Sequence, residues 1–444
     1  MNTIATISTP LGVGAIGIIR MSGDEALDIA CKIFKTKLLP SFNQAIPNMM
    51  YYGTITTKTI SDTVLAVYFK APKSYTGEDL VEFQCHGGMR IVDEVLKACL
   101  DNGARIADKG EFTKRAFLNG KMTLSDAEGI VDMINAESIA AINAGYRLSK
   151  GGISDKLAII QDKILFCVSQ LEASLDYPEE MEDEAKIDCK MEAIHQKEEL
   201  EKLLNTSNVG GYIKQGIAVA IVGIANVGKS SLLNTLLGKE RAIVTDIAGT
   251  TRDSIEENVE VKGVLLKLID TAGIRQTQDV VESIGVERSL DAASSADVVI
   301  FVTEAGRELN EEEKDILKKL NSQNKKIILA YNKCDVQKTT KEDGFLISAK
   351  KNIGIEELKN AIVDMFVTSN IDSSSTIITN QRHAQAIKIS IDELETTIRT
   401  IDIEPIECVL VNLRNAYFSL GEITGNCATE DIITNIFSKF CLGK

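Results

Sequence analysis

The run GIANVGKS at 223–230 follows an apolar stretch, GIAVAIVG, and leads into an apolar-periodic one. In that setting the pattern reads as a P-loop. Backbone N–H groups and a helix N-terminus surround phosphates, the Lys229 ammonium lies near the outer ones, and the Ser230 hydroxyl can ligate Mg²⁺. The base is chosen further on, at Asn332, Lys333, Cys334 and Asp335, after KKIILAY. A carboxylate at Asp335 accepts hydrogen bonds from N1–H and the exocyclic amine of guanine, and adenine offers no such donors on that edge. Asp270, Thr271, Ala272 and Gly273 end another apolar run, where the carboxylate acts on Mg²⁺ through water and the Gly273 N–H reaches a γ-phosphate. Thr250 and Thr251 in GTTRD are placed to sense that metal and phosphate, and Ser348, Ala349 and Lys350 close the base pocket. Five elements in this order specify GTP and GDP as ligands.

Hydrolysis needs a separate argument. Small GTPases place a water-orienting glutamine directly after the DxxG glycine, and here that position is Ile274. Water must then be oriented by another group. Arg252 and Arg275 are candidate arginine fingers, with a surface ion-paired role as the alternative.

The elements that must carry these motifs are legible in outline. GIAVAIVG, VLLKLID, ADVVIFV and KKIILAY alternate with helical stretches from Gly216 onward, the pattern of a parallel α/β sheet. Residues 1–118 mix short β-branched runs (Ala15–Ile19, Thr63–Phe69, Leu80–Gln84) with one helical stretch, Ile91–Leu100, and read as an α+β domain. From about Asn119 the period becomes helical. Ile153, Leu157, Ile160, Ile164, Val168, Leu171 and Leu175 form one apolar stripe, which the acidic segment 176–186 is expected to end as a solvated connection. After the Ser-rich 373–375, Ile387, Ile391, Leu394 and Ile398 resume a helical pattern, so the α/β unit is inserted between two halves of a helical domain.

Bulk properties exclude several classes. At 444 residues, with 44% hydrophobic and 25% charged side chains, the chain needs several cores and folds throughout. A net charge of -15 argues against a broad basic surface for nucleic acid. Nine cysteines with no CxxC pair fit free thiols in a reducing cytoplasm, and no stretch is long and apolar enough for a membrane span. His86 and His383 read as hydrogen-bonded structural residues.

With Asn226 in the P-loop, DIAGTTRD at 246–253, DTAGIR at 270–275 and VESIGVER at 281–288, the α/β unit closely resembles the G domain of the MnmE (TrmE) family of bacterial tRNA modification GTPases. STPLGVGAIGIIRMSG (8–23), SYTGEDLVEFQCHGG (74–88), GEFTKRAFLNGKMTLSDAEGIVDMINA (110–136) and the terminal FCLGK extend the similarity to both ends. The resemblance implies a multidomain fold: an α+β folate-binding N-domain at 1–118, an all-α domain at 119–212 and 371–444, and an inserted Ras-like P-loop G domain at 213–370.

For the nucleotide it implies contacts from Asn226, Val227, Gly228, Lys229, Ser230 and Ser231. Further contacts come from Thr245, Asp246, Ile247, Ala248, Gly249, Thr250 and Thr251, from Asp270, Thr271, Ala272 and Gly273, and from Asn332, Lys333, Asp335, Ser348, Ala349 and Lys350. Ser230 and Thr251 would hold Mg²⁺. Asn226, Thr245, Ile247 and Thr250 would hold K⁺, which takes the place of an arginine finger when two G domains of a homodimer meet. Glu282 matches the family's catalytic acidic residue. Arg20, Glu78, Lys121 and Lys444 match folate-contacting positions, with cations suited to glutamyl carboxylates and a carboxylate suited to the donor edge of a pterin. Cys441 matches a cysteine of the terminal motif, in a catalytic or a packing role.

The function implied is a potassium-dependent GTPase acting with an FAD-dependent MnmG-like partner, in a heterotetramer or larger complex. It would add a carboxymethylaminomethyl or aminomethyl group to C5 of the wobble uridine, U34, of tRNA. The one-carbon donor would be 5,10-methylene-tetrahydrofolate, with 5-formyl-tetrahydrofolate a further ligand of that site. A ribosome-assembly RNA-binding GTPase is the rival reading, and a folate-dependent aminomethyltransferase with a regulatory G domain is a third.

Overall fold

Residues 2–238, 257–269, 292–336, 343–367, 376–441 and 443 are described by the structure, a computed structural model, with the side chains of 178–181 excepted. Contacts divide the chain into two units, one of 1–131, 148–194 and 392–444, the other of 132–147 and 195–391.

The first unit is organised on a seven-stranded sheet. Its strands are β1 (Ile4–Ile7), β2 (Ile16–Ser22), β3 (Phe34–Lys35), β4 (Met50–Thr56), β5 (Ser61–Phe69), β6 (Leu80–His86) and β7 (Arg105–Ile106), in the order β3-β4-β5-β6-β2-β1-β7. All neighbours are antiparallel except β1 and β7. Because side chains alternate across a strand, Ala5, Ile19, Met21, Phe83 and Cys85 share one face. Helices Ala26–Ile33 and Met89–Asp101 cover it, contributing Ile29, Val92 and Val95 to the core. The other face carries Ile4, Thr6, Arg20, Ser22 and Glu82, since Thr6 stands opposite Arg20 and Arg20 opposite Glu82. Phe112, on helix Glu111–Leu118, buries itself with Ile4 on that side.

In the helical part of this unit, helix Ser154–Asp176 runs along helix Ile406–Thr424, and the Gln161 side chain donates to the Tyr417 carbonyl at 3.0 Å. The stripe read from the sequence is buried from Ile153 through Leu171, whereas Leu175 is 41% exposed, outside the packed turns. The acidic segment is a correction. It is no loop, because a second helix begins at Pro178 and runs to Leu204, leaving only Tyr177 between the two. Pro suits a first helical position and acidic residues suit a first turn, so the segment that looked like a breaker starts a helix.

The second unit holds a six-stranded sheet of β8 (Ile217–Val222), β9 (Glu257–Val261), β10 (Val264–Leu268), β11 (Val298–Glu304), β12 (Lys326–Asn332) and β13 (Phe345–Leu346), ordered β13-β12-β11-β8-β10-β9. Strands β13, β12, β11, β8 and β10 are parallel, as the sequence pattern requires, and β9 alone runs antiparallel. Helices Lys229–Leu237 and Ile355–Phe366 pack Leu232, Leu236, Leu358 and Ile362 against one face. Helix Glu311–Ser322 packs Ile316 and Leu320 against the other. The strands therefore read as continuous apolar runs because both faces are covered. Ligand-binding loops of such sheets lie at the carboxyl ends of the strands, where the P-loop, NKCD and SAK motifs all fall. Helical segments flank this sheet in sequence on both sides, giving the multidomain α/β and α fold read from the sequence.

Candidate nucleotide site and the Arg20 cluster

Strand β8 ends at Val222, and the chain turns through 223–228 before the helix that starts at Lys229. Two positions make that turn possible. Gly228 has φ 97°, and a Cβ there would stand 2.3 Å from the Asn332 side-chain nitrogen. Asn226 has φ 61°, a left-handed conformation that asparagine tolerates better than most residues. The Lys229 ammonium curls back into the loop and donates to the Gly223 and Ile224 carbonyls, each at 2.7 Å. Burial holds its pKa below the ordinary lysine value, so its charge is poorly solvated and suited to phosphate oxygens.

The base-side motif is locked to this loop. Asn332 is 3% exposed. Its amide donates to the Val227 carbonyl at 2.8 Å, and its oxygen accepts from the Ala349 N–H at 3.0 Å. One side chain thus ties P-loop, NKCD and SAK segments together. Lys333, at φ 65°, donates to the Asn226 carbonyl at 3.0 Å and pairs with Glu304 at the end of β11. Asp335 is held below the usual carboxylate range, first by a hydrogen bond from Ser348 and then by Lys351, whose ammonium lies 3.7 Å away. A carboxylate kept ionised can accept both guanine donors. The Thr235 hydroxyl fixes the Ala349 carbonyl at 2.8 Å, while Ser230, Ser231 and Lys350 are exposed. Sequence reading missed Glu304, Lys351 and Thr235, none of which stands in a motif it used.

Thr245, Asp246, Ile247, Ala248, Gly249, Thr250, Thr251, Asp270, Thr271, Ala272, Gly273 and Glu282 lie outside the described residues, as do Arg252, Ile274 and Arg275. The Mg²⁺ and K⁺ sets are therefore described only at Ser230 and Asn226.

The second group of sequence-derived residues meets on the sheet face opposite helices 26–33 and 89–101. Arg20 and Glu82, directly opposite across β2 and β6, pair at 2.7 Å. The Arg20 guanidinium lies 5.5 Å from the Tyr75 ring centroid and 5.8 Å from that of Phe112, and donates to the Gly443 carbonyl at 3.2 Å. Gly443 has φ 99°, and a Cβ there would meet Ser8 Cα at 2.6 Å, so the C-terminal segment lies close against β1. Lys444 itself lies outside the described residues. Phe117 and Phe437, with ring centroids 6.2 Å apart, help hold the terminal helix Glu430–Ser438 in place.

Glu78 accepts two hydrogen bonds from Arg115, at 2.9 and 3.2 Å, and one from Ser22 at 2.9 Å. Arg115 is nearly closed off, with 4% side-chain exposure, and also bonds Glu111 and the Asn2 carbonyl. Burial raises the Glu111 carboxyl, but hydrogen bonds from Arg105, the Asp108 N–H and Arg115 outweigh it and hold the group at about 2. Lys121 is exposed, and its ammonium donates to the Pro72 carbonyl at 2.9 Å. Arg115, Glu82, Tyr75 and Phe112 were missed as contributors. All lie inside quoted sequence runs or beside Glu78, yet nothing in their spacing singles them out.

A half-buried guanidinium, a carboxylate held by hydrogen bonds, two aromatic rings and an exposed ammonium fit a flat heteroaromatic ligand that carries carboxylates. Elsewhere, His86 bonds Asp62 through both its Nδ1, at 2.6 Å, and its N–H, the structural role read for it. Cys441 is an exposed free thiol. No group of three or more metal-ligating His, Cys, Asp or Glu side chains occurs among the described residues.

Two family models match the chain. One, described as the GTP-binding protein TrmE N-terminus, covers residues 3–121, and the other, the MnmE helical domain, covers 124–441. The tRNA modification GTPase MnmE of Clostridioides difficile (strain 630) is 42% identical over 100% of this chain and 99% of its own length. The protein of the same name from Lactobacillus johnsonii is 42% identical over 100% and 98%. Among solved structures, the G domain of the T. maritima FeoB iron transporter matches 33% of this chain and 97% of its own, with 30% identity and a TM-score of 0.25.

Proposed function

This chain belongs to the MnmE (TrmE) family of tRNA modification GTPases, and from that premise we propose that it is a potassium-dependent GTPase installing an aminomethyl-type group at C5 of wobble uridine U34. GTP hydrolysis in tRNA modification follows from the family itself. The finer reading adds a homodimer, an FAD-dependent MnmG-like partner and a folate one-carbon donor, working in the cytoplasm. It keeps the organisation 1–118, 119–212, 213–370 and 371–444. No helix among the described residues is long and apolar enough to cross a membrane.

The observation that carries the nucleotide part is the double hydrogen bond of Asn332, which makes phosphate loop and base pocket one rigid receptor. Lys229 binds the outer phosphates, and Asp335 selects guanine. Ser230, with Thr251, holds Mg²⁺. Asn226, with Thr245, Ile247 and Thr250, holds K⁺, which when bound supplies positive charge against the charge developing on the phosphates. Glu282 orients the attacking water, directly or through another water, which answers the absence of a glutamine at Ile274. Hydrolysis then drives pairing and release of the two G domains rather than the carbon chemistry.

At the second site Arg20, Lys121 and Lys444 bind carboxylates of the folate, and Glu78, held in place by Arg115 and Ser22, accepts from the pterin edge. The folate, when bound, supplies the one-carbon unit. The ribosome-assembly alternative has no support from the full-length relatives, which carry tRNA modification names.

Turnover measured in KCl and in NaCl tests the cation. It should be much faster in KCl, and equal rates would remove Asn226 from the ligand set. Calorimetric titration with 5-formyl-tetrahydrofolate tests the N-terminal site, where an absence of saturable heat would end the folate reading.

A further inference from the structure

The turn that joins β5 to the Glu78 segment carries a concentration of positive charge unusual in a chain of net charge -15. Lys70 and Lys73 bracket it, both exposed, and the Lys121 ammonium sits on its Pro72 carbonyl at 2.9 Å. The stem of Lys121 also passes Gly77, whose Cβ position lies 3.3 Å from Lys121 Cγ, so the lysine bridges the turn to the residue preceding Glu78.

Both nearby acids are engaged elsewhere. Glu78 is held by Arg115 and Ser22, while Asp79 accepts the Ala71 N–H at 2.9 Å and bonds the Tyr68 hydroxyl. Ser74 donates to the Glu78 carbonyl at 2.5 Å, which fixes the turn from within. Among the described residues, no carboxylate lies within ion-pair distance of Lys70, Lys73 or Lys121. The turn is held by the acids at its base, and the charged side chains exposed along Lys70–Lys73 are both lysines.

From this arrangement we infer that the Lys70–Lys73 turn, with Lys121, forms a subsite for the poly-γ-glutamyl tail of the folate bound at Arg20 and Glu78. The inference rests on the folate reading of that site and adds a ligand class to it. Each γ-linked glutamate adds one carboxylate to an extending chain, and Lys121, whose stem passes the residue before Glu78 and whose ammonium rests on the turn, links the Glu78 site to Lys70 and Lys73. Two ammoniums carried by one short turn and a third resting on it match a short, flexible polyanion better than the regularly spaced phosphates of an RNA helix. The contacts are exposed and individually weak, so the preference is additive and falls with salt.

The test is titration calorimetry on the full chain with 5-formyl-tetrahydrofolate as its monoglutamate and as its pentaglutamate. The pentaglutamate should bind about tenfold tighter at low salt, the sum of a few exposed ion pairs. In Lys70→Ala/Lys73→Ala that ratio should fall to within about twofold while monoglutamate affinity holds. Lys73→Arg, which keeps the charge, should keep the preference. Equal wild-type affinities for the two ligands overturn the subsite and leave the folate site standing. Binding of neither removes both. A double variant that loses tRNA in filter binding but keeps the pentaglutamate preference overturns the inference in favour of an RNA contact.

Discussion

The nucleotide site and the Arg20 cluster are built from different materials. In the first, backbone groups provide the receptor: the carbonyls of Gly223, Ile224, Asn226 and Val227 and the N–H of Ala349 are each fixed by one side chain from a short motif. In the second, charged side chains provide it: Arg20, Glu78, Glu82, Glu111 and Arg115 converge from two strands, a turn and a helix. A backbone receptor needs glycine and a left-handed residue at fixed offsets, so it is written locally. A receptor of half-buried charges needs every charge compensated, and the compensating partners come from wherever the fold brings them.

The contrast can be broken in order of expected effect. Asp335→Asn should reverse base preference toward xanthosine triphosphate, with a loss of GTP affinity on the order of 10⁴-fold, read by competition binding. Unchanged preference would mean that Asp335 does not contact the base. Arg115→Met leaves Glu78 and Glu111 without their shared cation and should cost about 3–5 kcal/mol in urea denaturation at constant slope. A loss under about 1 kcal/mol would show that the cluster is solvated rather than compensated.

Asn332→Ala strands one buried carbonyl and one buried N–H, at about 1–3 kcal/mol each, so nucleotide affinity and stability should fall together. If affinity falls alone, the residue serves the ligand and not the receptor. Acid titration distinguishes the sites by another route. The folded-state carboxyl of Glu111 is depressed from 4.5 to about 2, so its contribution is present above about pH 4.5 and lost as pH falls toward 2. Glu111→Gln should flatten that part of the melting-temperature profile. Last, Lys351→Ala should weaken GTP by no more than about fivefold, because its contact with Asp335 is long and solvated.

The parallel sheet, the P-loop, NKCD and SAK motifs and the apolar stripe from Ile153 to Leu171 were all legible, since each is a repeat or a motif within a few residues. Glu304 on Lys333 and Arg115 on Glu78 were not, because pairing across 29 and 37 positions leaves no trace in local spacing. The acidic segment at 176–186 misled for a different reason. Its composition suggests a loop, whereas Pro178 and the acidic residues after it open a helix, leaving Tyr177 as a one-residue connection.

By itself the sequence determined the P-loop, NKCD and SAK segments of the second unit, because their geometry is set by backbone conformations that a few residue types enforce locally. Tertiary structure alone decided the state of the charges around Arg20, which of them are closed by partners and which, like Lys70 and Lys73, face solvent. Compensation of charge depends on what is near in space, and nearness in space is what a folded chain adds to its sequence.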